Sequence, residues 1–220
     1  MSAMAGFTIT NQAEQVFLLN AIELVVAVFR GPSQAGWQAL FEAGLPELKG
    51  QVPSRFAHLT AILDNLQDAA PGAPDGLADL ETEYVRLFIA ASGGVAAPLY
   101  ESCHLGTAPR VMGQSALAMR QRLADAGLEI HGPANEPPDH LAVELEYLYH
   151  LLATAWAQNE GQSEASGLAF AREVMRPWVG RFARALESGR PHPIYAASAG
   201  LLLDVLDILD RNPGDIPAHT

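Results

Sequence analysis

Two stretches hold most of the side chains able to do chemistry. The first is Tyr84-Val85-Arg86-Leu87-Phe88, running on to Pro98-Leu99-Tyr100-Glu101-Ser102-Cys103-His104. The second is Glu136-Pro137-Pro138-Asp139-His140-Leu141-Ala142-Val143-Glu144-Leu145. In each, a loop rich in Pro or Gly meets a strongly apolar segment, and acid, His and aromatic residues collect at the join. Such a join can present polar groups to a ligand without burying them unpaired.

Several chemistries can be weighed on these residues. His140 and Glu144 are four apart and share a helix face, with Tyr147 following. A carboxylate on that face would take a guanidinium through paired charge-assisted hydrogen bonds, which lysine forms less well. The plainer reading of Asp139 is a helix N-cap, with His140 in the first turn. Metal binding would draw on Cys103, His104, His140, Glu144, Glu146 and His150. Their spacing does not support it. Cys103 and His104 are adjacent, and Glu146 to His150 is i+4 where a di-iron bundle needs Glu-x-x-His. Cys103 with His104 or His140 as base would make a nucleophile, but no nucleophile-elbow or cysteine-protease pattern surrounds it. Gly93-Gly94 lacks the following Lys-Ser or Lys-Thr of a phosphate loop. The expectation is therefore a non-enzyme with no metal and no cofactor. A helical metal-dependent or Cys/His hydrolase and a plain interaction module are the alternatives.

These residues must be held by helices. Asn11 caps a helix to Arg30, with Glu14 completing a capping box and Gly31-Pro32 stopping it. Ser33 caps a shorter one through Trp37, Leu40 and Phe41, ending near Gly44-Leu45-Pro46. Ser54 opens a third, with Phe56, Leu59, Ile62, Leu63 and Leu66 at helical spacing. After the turn Pro71-Gly72-Ala73-Pro74, Asp75 caps a fourth carrying Leu77, Leu80, Tyr84, Leu87 and Phe88. Pro109 starts a fifth that stops at Gly127. Residues 128–138 form a Pro/Gly-rich connector and a candidate hinge. Asp139 caps a long helix to about Gln158, apolar on much of its circumference and so expected at the centre. Ser163 begins the next, and Pro193 opens the last. No segment alternates with period two, so the fold class is all-α, in a single domain.

The totals exclude several function classes. A net charge of −12 argues against nucleic acid and anionic membranes, and suits a basic partner. No Lys or Arg lies between Arg55 and Arg86, where Asp64, Asp68, Asp75, Asp79, Glu81 and Glu83 fall. The single cysteine, Cys103, rules out an intrachain disulfide and fits a reducing compartment. The first ten residues lack the basic start of a secretory signal. Residues 16–29, interrupted by Asn20 and Glu23, are shorter than the roughly 20 apolar residues of a membrane span. No membrane insertion is expected.

Three segments resemble the TorD/DmsD/NarJ group of redox-enzyme maturation chaperones. They are Glu83-Tyr84-Val85-Arg86-Leu87-Phe88 with Pro98-Leu99-Tyr100-Glu101-Ser102, then Glu136-Pro137-Pro138-Asp139-His140-Leu141 with Glu144-Leu145-Glu146-Tyr147. The third is Trp178-Val179-Gly180-Arg181-Phe182 with Pro193-Ile194-Tyr195. The sequence departs from the group in having one proline, Pro98, and Gly93-Gly94 in its first loop, and His104 where an aromatic is usual. The resemblance implies a cytoplasmic, TorD-like helical bundle. It implies binding of the twin-arginine leader and apo form of a molybdopterin-containing oxidoreductase while its cofactor is inserted before export. It implies a peptide-binding groove formed by Tyr84, Leu87, Phe88, Pro98, Tyr100, Glu101, Ser102, His104, Glu136, Asp139, His140, Glu144 and Tyr147, with acids at the rim receiving the arginines. A homodimer exchanged across 128–138 is compatible with it.

Overall fold

A computed structural model describes residues 9–71, 74–105, 113–130, 137–158 and 161–210. Among these every extended element is helical, as the periodicity requires, and the one strand-like feature is a single antiparallel bridge between Tyr100 and His140.

Helix α1 (Gln12–Phe29) is capped by Asn11, whose side chain accepts from Ala13 N–H. Glu14 is buried and pairs with Arg55 at 3.1 Å across to the next layer, so its carboxylate serves tertiary packing. Helix α1 packs against α8 (Leu141–Gln158) and α11 (Pro193–Asp210). These three helices supply Phe17, Leu18, Val25, Phe29, Leu145, Leu148, Leu201 and Leu202, all fully buried. By length and composition α1 is the one described helix able to cross a membrane, yet half of it is buried against its neighbours. Around this centre lie α4 (Thr60–Asp68) and α10 (Arg176–Ser188) against α11, and α9 (Gly161–Phe170) against α8. Phe29, Phe88, Phe182 and Tyr195 meet edge-on or tilted at centroid distances of 5.3–6.5 Å.

Proline placement differs from the sequence expectation. Helix α2 (Gln34–Ala39), capped by Ser33 as expected, does not end near Pro46. It widens into a π turn at Leu40–Gly44 and continues as α3 (Leu45–Gly50), with Pro46 in the first turn. Pro177 follows a second π turn, Ala171–Met175, in the same way at the start of α10. Proline has no N–H to give the preceding turn, and its ring crowds the carbonyl four residues back. A wider turn just upstream removes both problems without stopping the helix. The segment opened by Ser54 is a 3₁₀ stretch, Ser54–Leu59, kinked at Phe56 before α4. The helix expected to be capped by Asp75 starts two residues earlier than such a cap implies, as α5 (Pro74–Tyr84), because proline suits the first helical position. It runs into a third π turn, Val85–Ile89. Short α6 (Glu101–His104) follows, then α7 (Gln114–Asp125). Gly127, at φ +66°, closes α7, and Leu128 N–H reaches back to Leu123 O at 2.9 Å. Pro109 and most of the proposed hinge, residues 131–136, lie outside the described residues.

Helix α1 ends at Gly31, whose φ of +103° is open to glycine and costly for other residues. A Cβ there would also sit 3.1 Å from the Tyr84 ring. Gly31→Ala should therefore lose at least about 1–2 kcal/mol of stability, the left-handed backbone cost alone. Urea denaturation checks this, and an unchanged midpoint would contradict it.

Candidate functional site

The two motifs meet in space, and backbone bonds lock them together. Leu141 N–H donates to Leu99 O at 2.8 Å, and Glu101 N–H donates to Asp139 O at 3.0 Å. The loop 98–102 and the approach to α8 thus pair like two short strands, with the Tyr100 and His140 rings edge-on at 5.3 Å.

This pairing corrects the role of Asp139. It does not cap α8. Its Oδ2 accepts from Ser102 N–H at 2.9 Å, at the start of α6. The cap of α8 is His140. Its carbonyl accepts the first helical bond from Glu144 N–H at 3.0 Å, and its Nδ1 accepts from Ala142 N–H at 3.1 Å. The cause is tertiary. Because residues 139–141 are held extended against 99–101, the helix starts one residue later than local preference suggests. The nearest acceptor for its open N–H groups is then the imidazole.

The acids expected at a groove rim that lie among the described residues, Glu101, Asp139 and Glu144, are buried instead. Asp139 and Glu144 have no exposed surface, and Glu101, Ser102 and His140 are at most 7% exposed. Glu144 Oε2 accepts from Trp178 Nε1 at 2.9 Å. Burial, and then the charge of Glu101, pushes the Glu144 carboxyl well above the ordinary carboxylate range. Burial also raises Glu101. The two carboxyls face each other, and a proton kept on one lets it donate to the other. Asp139 Oδ1 and Ser102 Oγ find no hydrogen-bond partner among the described residues, and Glu144 Oε1 finds none besides the Glu101 carboxyl. His140 is pushed down to about 4 by burial, and then by the charge of Arg30. At neutral pH it is the neutral ring that capping through Nδ1 requires.

The first motif is a staple. Arg86 holds Glu83 with two bonds of 2.7 Å and also donates to Gly189 O at 3.0 Å, closing the end of α10. Glu83 accepts from His192 N–H at 3.0 Å as the chain turns into α11. Tyr84, half-buried, donates its hydroxyl to Phe29 O at 2.9 Å. Leu87 and Phe88 are core. His104 is half-buried, stacked on Trp178 at 5.6 Å, with Nε2 at 2.6 Å from Pro98 O. Tyr147 packs edge-on against Phe170 at 5.0 Å. Pro98 and Tyr100 remain partly accessible, and Glu136 lies outside the described residues. Trp178, Glu83 and Arg86 were not among the predicted site residues. A buried indole needs an acceptor, and Glu144 on an apolar helix was the available signal.

The arrangement is poorly suited to Cys/His catalysis. Burial, and then the charge of Asp139, raises the Cys103 thiol, which keeps it protonated. His104 is committed to Pro98 O, and His140 Nδ1 to Ala142.

Comparison with known proteins agrees. The sequence pattern of the family described as "Nitrate reductase delta subunit" matches residues 54–184. The chaperone protein TorD of Psychrobacter sp. is 27% identical over 197 residues, covering 80% of this chain and 86% of that protein. The TorD chaperone of Vibrio cholerae serotype O1 is 30% identical over 152 residues, or 66% of each chain. A solved structure assigned as a redox enzyme maturation protein from Archaeoglobus fulgidus has the same fold. Its TM-score is 0.55 at 21% identity, covering 94% of this chain and 99% of that one. Fold and relatives together define an all-helical maturation chaperone rather than a catalyst. The chain belongs to the nitrate reductase delta subunit family, the TorD/NarJ type of redox-enzyme maturation chaperone.

The buried carboxyls make stability depend on pH in a defined direction. A raised glutamate stabilises the fold below its ordinary value of 4.5, and that contribution is lost as pH rises toward the folded value. The depressed His140 acts oppositely. Its contribution, on the order of 3 kcal/mol, is present above 6.5 and lost as pH falls toward about 4. Glu144→Gln keeps an acceptor for Trp178 and a donor for Glu101 but cannot ionise. Thermal melts should show the variant gaining on the native chain as pH rises from 5 to 9, the His140 contribution cancelling in the difference. A variant less stable at every pH would contradict this.

Proposed function

We propose that this chain is a cytoplasmic chaperone for a molybdopterin-containing oxidoreductase. It would bind the twin-arginine leader of the apo enzyme and hold the client back from export until its cofactor is in place. The observation that carries this reading is an exposed apolar surface on the segment that the first motif staples down. Val85 and Ile89, on the π turn with Leu87 and Phe88, are 46% and 55% exposed. Leu87 O accepts from Ala97 N–H at 3.0 Å, so this turn borders the loop that carries Pro98 and Tyr100. Large aliphatic side chains this exposed mark an interaction surface when they adjoin other accessible apolar groups. The net charge of −12 favours a basic leader, and membership in a chaperone family supports the class of partner. The buried junction of Asp139, His140 and Ser102 would keep this surface in shape rather than touch the leader.

Apolar burial returns roughly 25 cal/mol per Å² before association costs, so the leader's apolar run should dominate affinity. Ile89→Asp should weaken calorimetric binding of the client leader by tenfold or more without altering the helical circular dichroism. Replacing both leader arginines by lysine should also weaken it, because lysine lacks the forked donors. A leader that fails to bind the native chain, or binds Ile89→Asp equally well, would contradict the reading.

A further inference from the structure

Glu101, Asp139 and Glu144 of the motifs are buried, and Glu83 and Glu146 are paired with Arg86 and Arg30, so a further acidic site is needed to meet a cationic ligand. One cleft has the required make-up. Beside α1, the segment from α2 to α3 is anchored at both ends by buried side chains, Trp37 on one side and Leu45 and Leu48 on the other. The π turn between them, Leu40–Gly44, buries no residue. Under it is a cleft of about 360 Å³. Leu24, Ala27, Leu40 and Leu48 make its apolar lining, with Glu23 of α1 and Glu47 of α3 beside them. Gly44 at its edge adds no side chain to close it.

Among the described residues no cation pairs with the carboxylates of the cleft. The only basic residues between positions 9 and 53 are Arg30 and Lys49. Arg30 is paired with Glu146, and Lys49 with Asp64 at 2.7 Å. The cleft carboxylates have neutral neighbours instead. Glu47 accepts from Gln51 at 3.1 Å, and Glu23 is hydrogen-bonded to the Tyr149 hydroxyl. Two carboxylates from different helices, above an apolar floor and without a counter-cation among the described residues, suit one kind of group: a guanidinium on an apolar stem. A volume of this size lies at the small end of ligand sites, enough for one or two side chains.

We infer that the cleft between α1 and the α2–α3 segment is the subsite that takes an arginine side chain, with its apolar neighbour, from the partner's leader. The naming of the partner rests on the chaperone reading above. The position is consistent with a shared ligand. Along α1 the cleft runs from Asn20 to Ala27, and Ala27 is one turn before Gly31, which abuts Tyr84 of the first motif. From Glu23 to Gly31 is about 12 Å along the helix, a length that about four extended residues span. One leader can therefore place an arginine against Glu23 and Glu47 and its apolar run near Val85 and Ile89.

Two probes test this. Butylguanidinium is titrated against the native chain by NMR. The expected result is saturable amide shifts centred on Glu23, Ala27 and Glu47. The double variant Glu23→Gln/Glu47→Gln should bind at least tenfold more weakly. Glu81→Gln/Glu129→Gln, with the same change in net charge, should bind like the native chain. Shifts that are absent, fail to saturate, or respond equally to both double variants overturn the inference. In the second arm, the client leader should lose its preference for arginine over lysine in Glu23→Gln/Glu47→Gln. If the leader binds the native chain and this variant alike, the subsite is wrong and the chaperone reading stands. If the leader binds neither while butylguanidinium saturates the cleft, a guanidinium site stands and its assignment to a leader falls.

Discussion

A carboxylate with no exposed surface, Asp139, is held by the backbone of another element, and the centre of the molecule is arranged around that bond. Burying a charge is costly unless hydrogen bonds replace its water. Ser102 N–H supplies one, and the flanking bonds, Leu141 to Leu99 and Glu101 to Asp139, fix the geometry that allows it. The consequence is long-range. The same bonds set where α8 begins, which leaves His140 to cap it and brings Glu144 under Trp178 of α10. Loop 98–102, α8 and α10 are thereby held in one arrangement.

The polar cluster is only partly satisfied. Two buried oxygens, on Ser102 and Asp139, find no partner among the described residues, and Glu144 Oε1 has only the Glu101 carboxyl. A raised Glu144 lowers the cost, because a protonated carboxyl needs less compensation than a carboxylate. His140 lowers it by remaining neutral. The junction works by keeping its groups uncharged where it can and spending its hydrogen bonds on Asp139. Side chains committed in this way are poor candidates for direct ligand contact, and interaction surfaces fall to neighbours such as Ile89 and the α1 cleft.

Much of this was legible in the sequence, and most of the failures come from contacts distant along the chain. Helical period, the Asn11 and Ser33 caps and the Gly31 and Gly127 stops are local features, and each stands where the residues put it. The two motifs were also recognisable as the chemically rich segments that meet. What could not be read locally was who bonds with whom. A capping rule assigns Asp139 to the helix that follows it, but the tertiary bridge turns it toward Ser102. Pro46 reads as a helix stop, yet a π turn upstream absorbs it. Glu14 reads as a capping-box partner, yet Arg55, 41 residues away, takes its carboxylate. For Asp139 and Glu14 a contact distant in sequence outweighs a local preference worth about 1 kcal/mol, whereas at Pro46 the relief is local, in the turn just upstream.

The central claim is that the bridge between residues 99–102 and 139–142 is one cooperative unit rather than two loops that happen to touch. Native-state hydrogen exchange of four amides tests it directly: Glu101, Ser102, Leu141 and Ala142, the donors of the bridge and its caps. In the native chain all four should exchange only through large-scale unfolding, with similar protection. In Asp139→Ala the four should lose protection together, while α11 amides such as Leu202 change only by the drop in global stability. Rapid exchange of Glu101 and Ser102 in the native chain, with Leu141 and Ala142 still protected, would contradict the account.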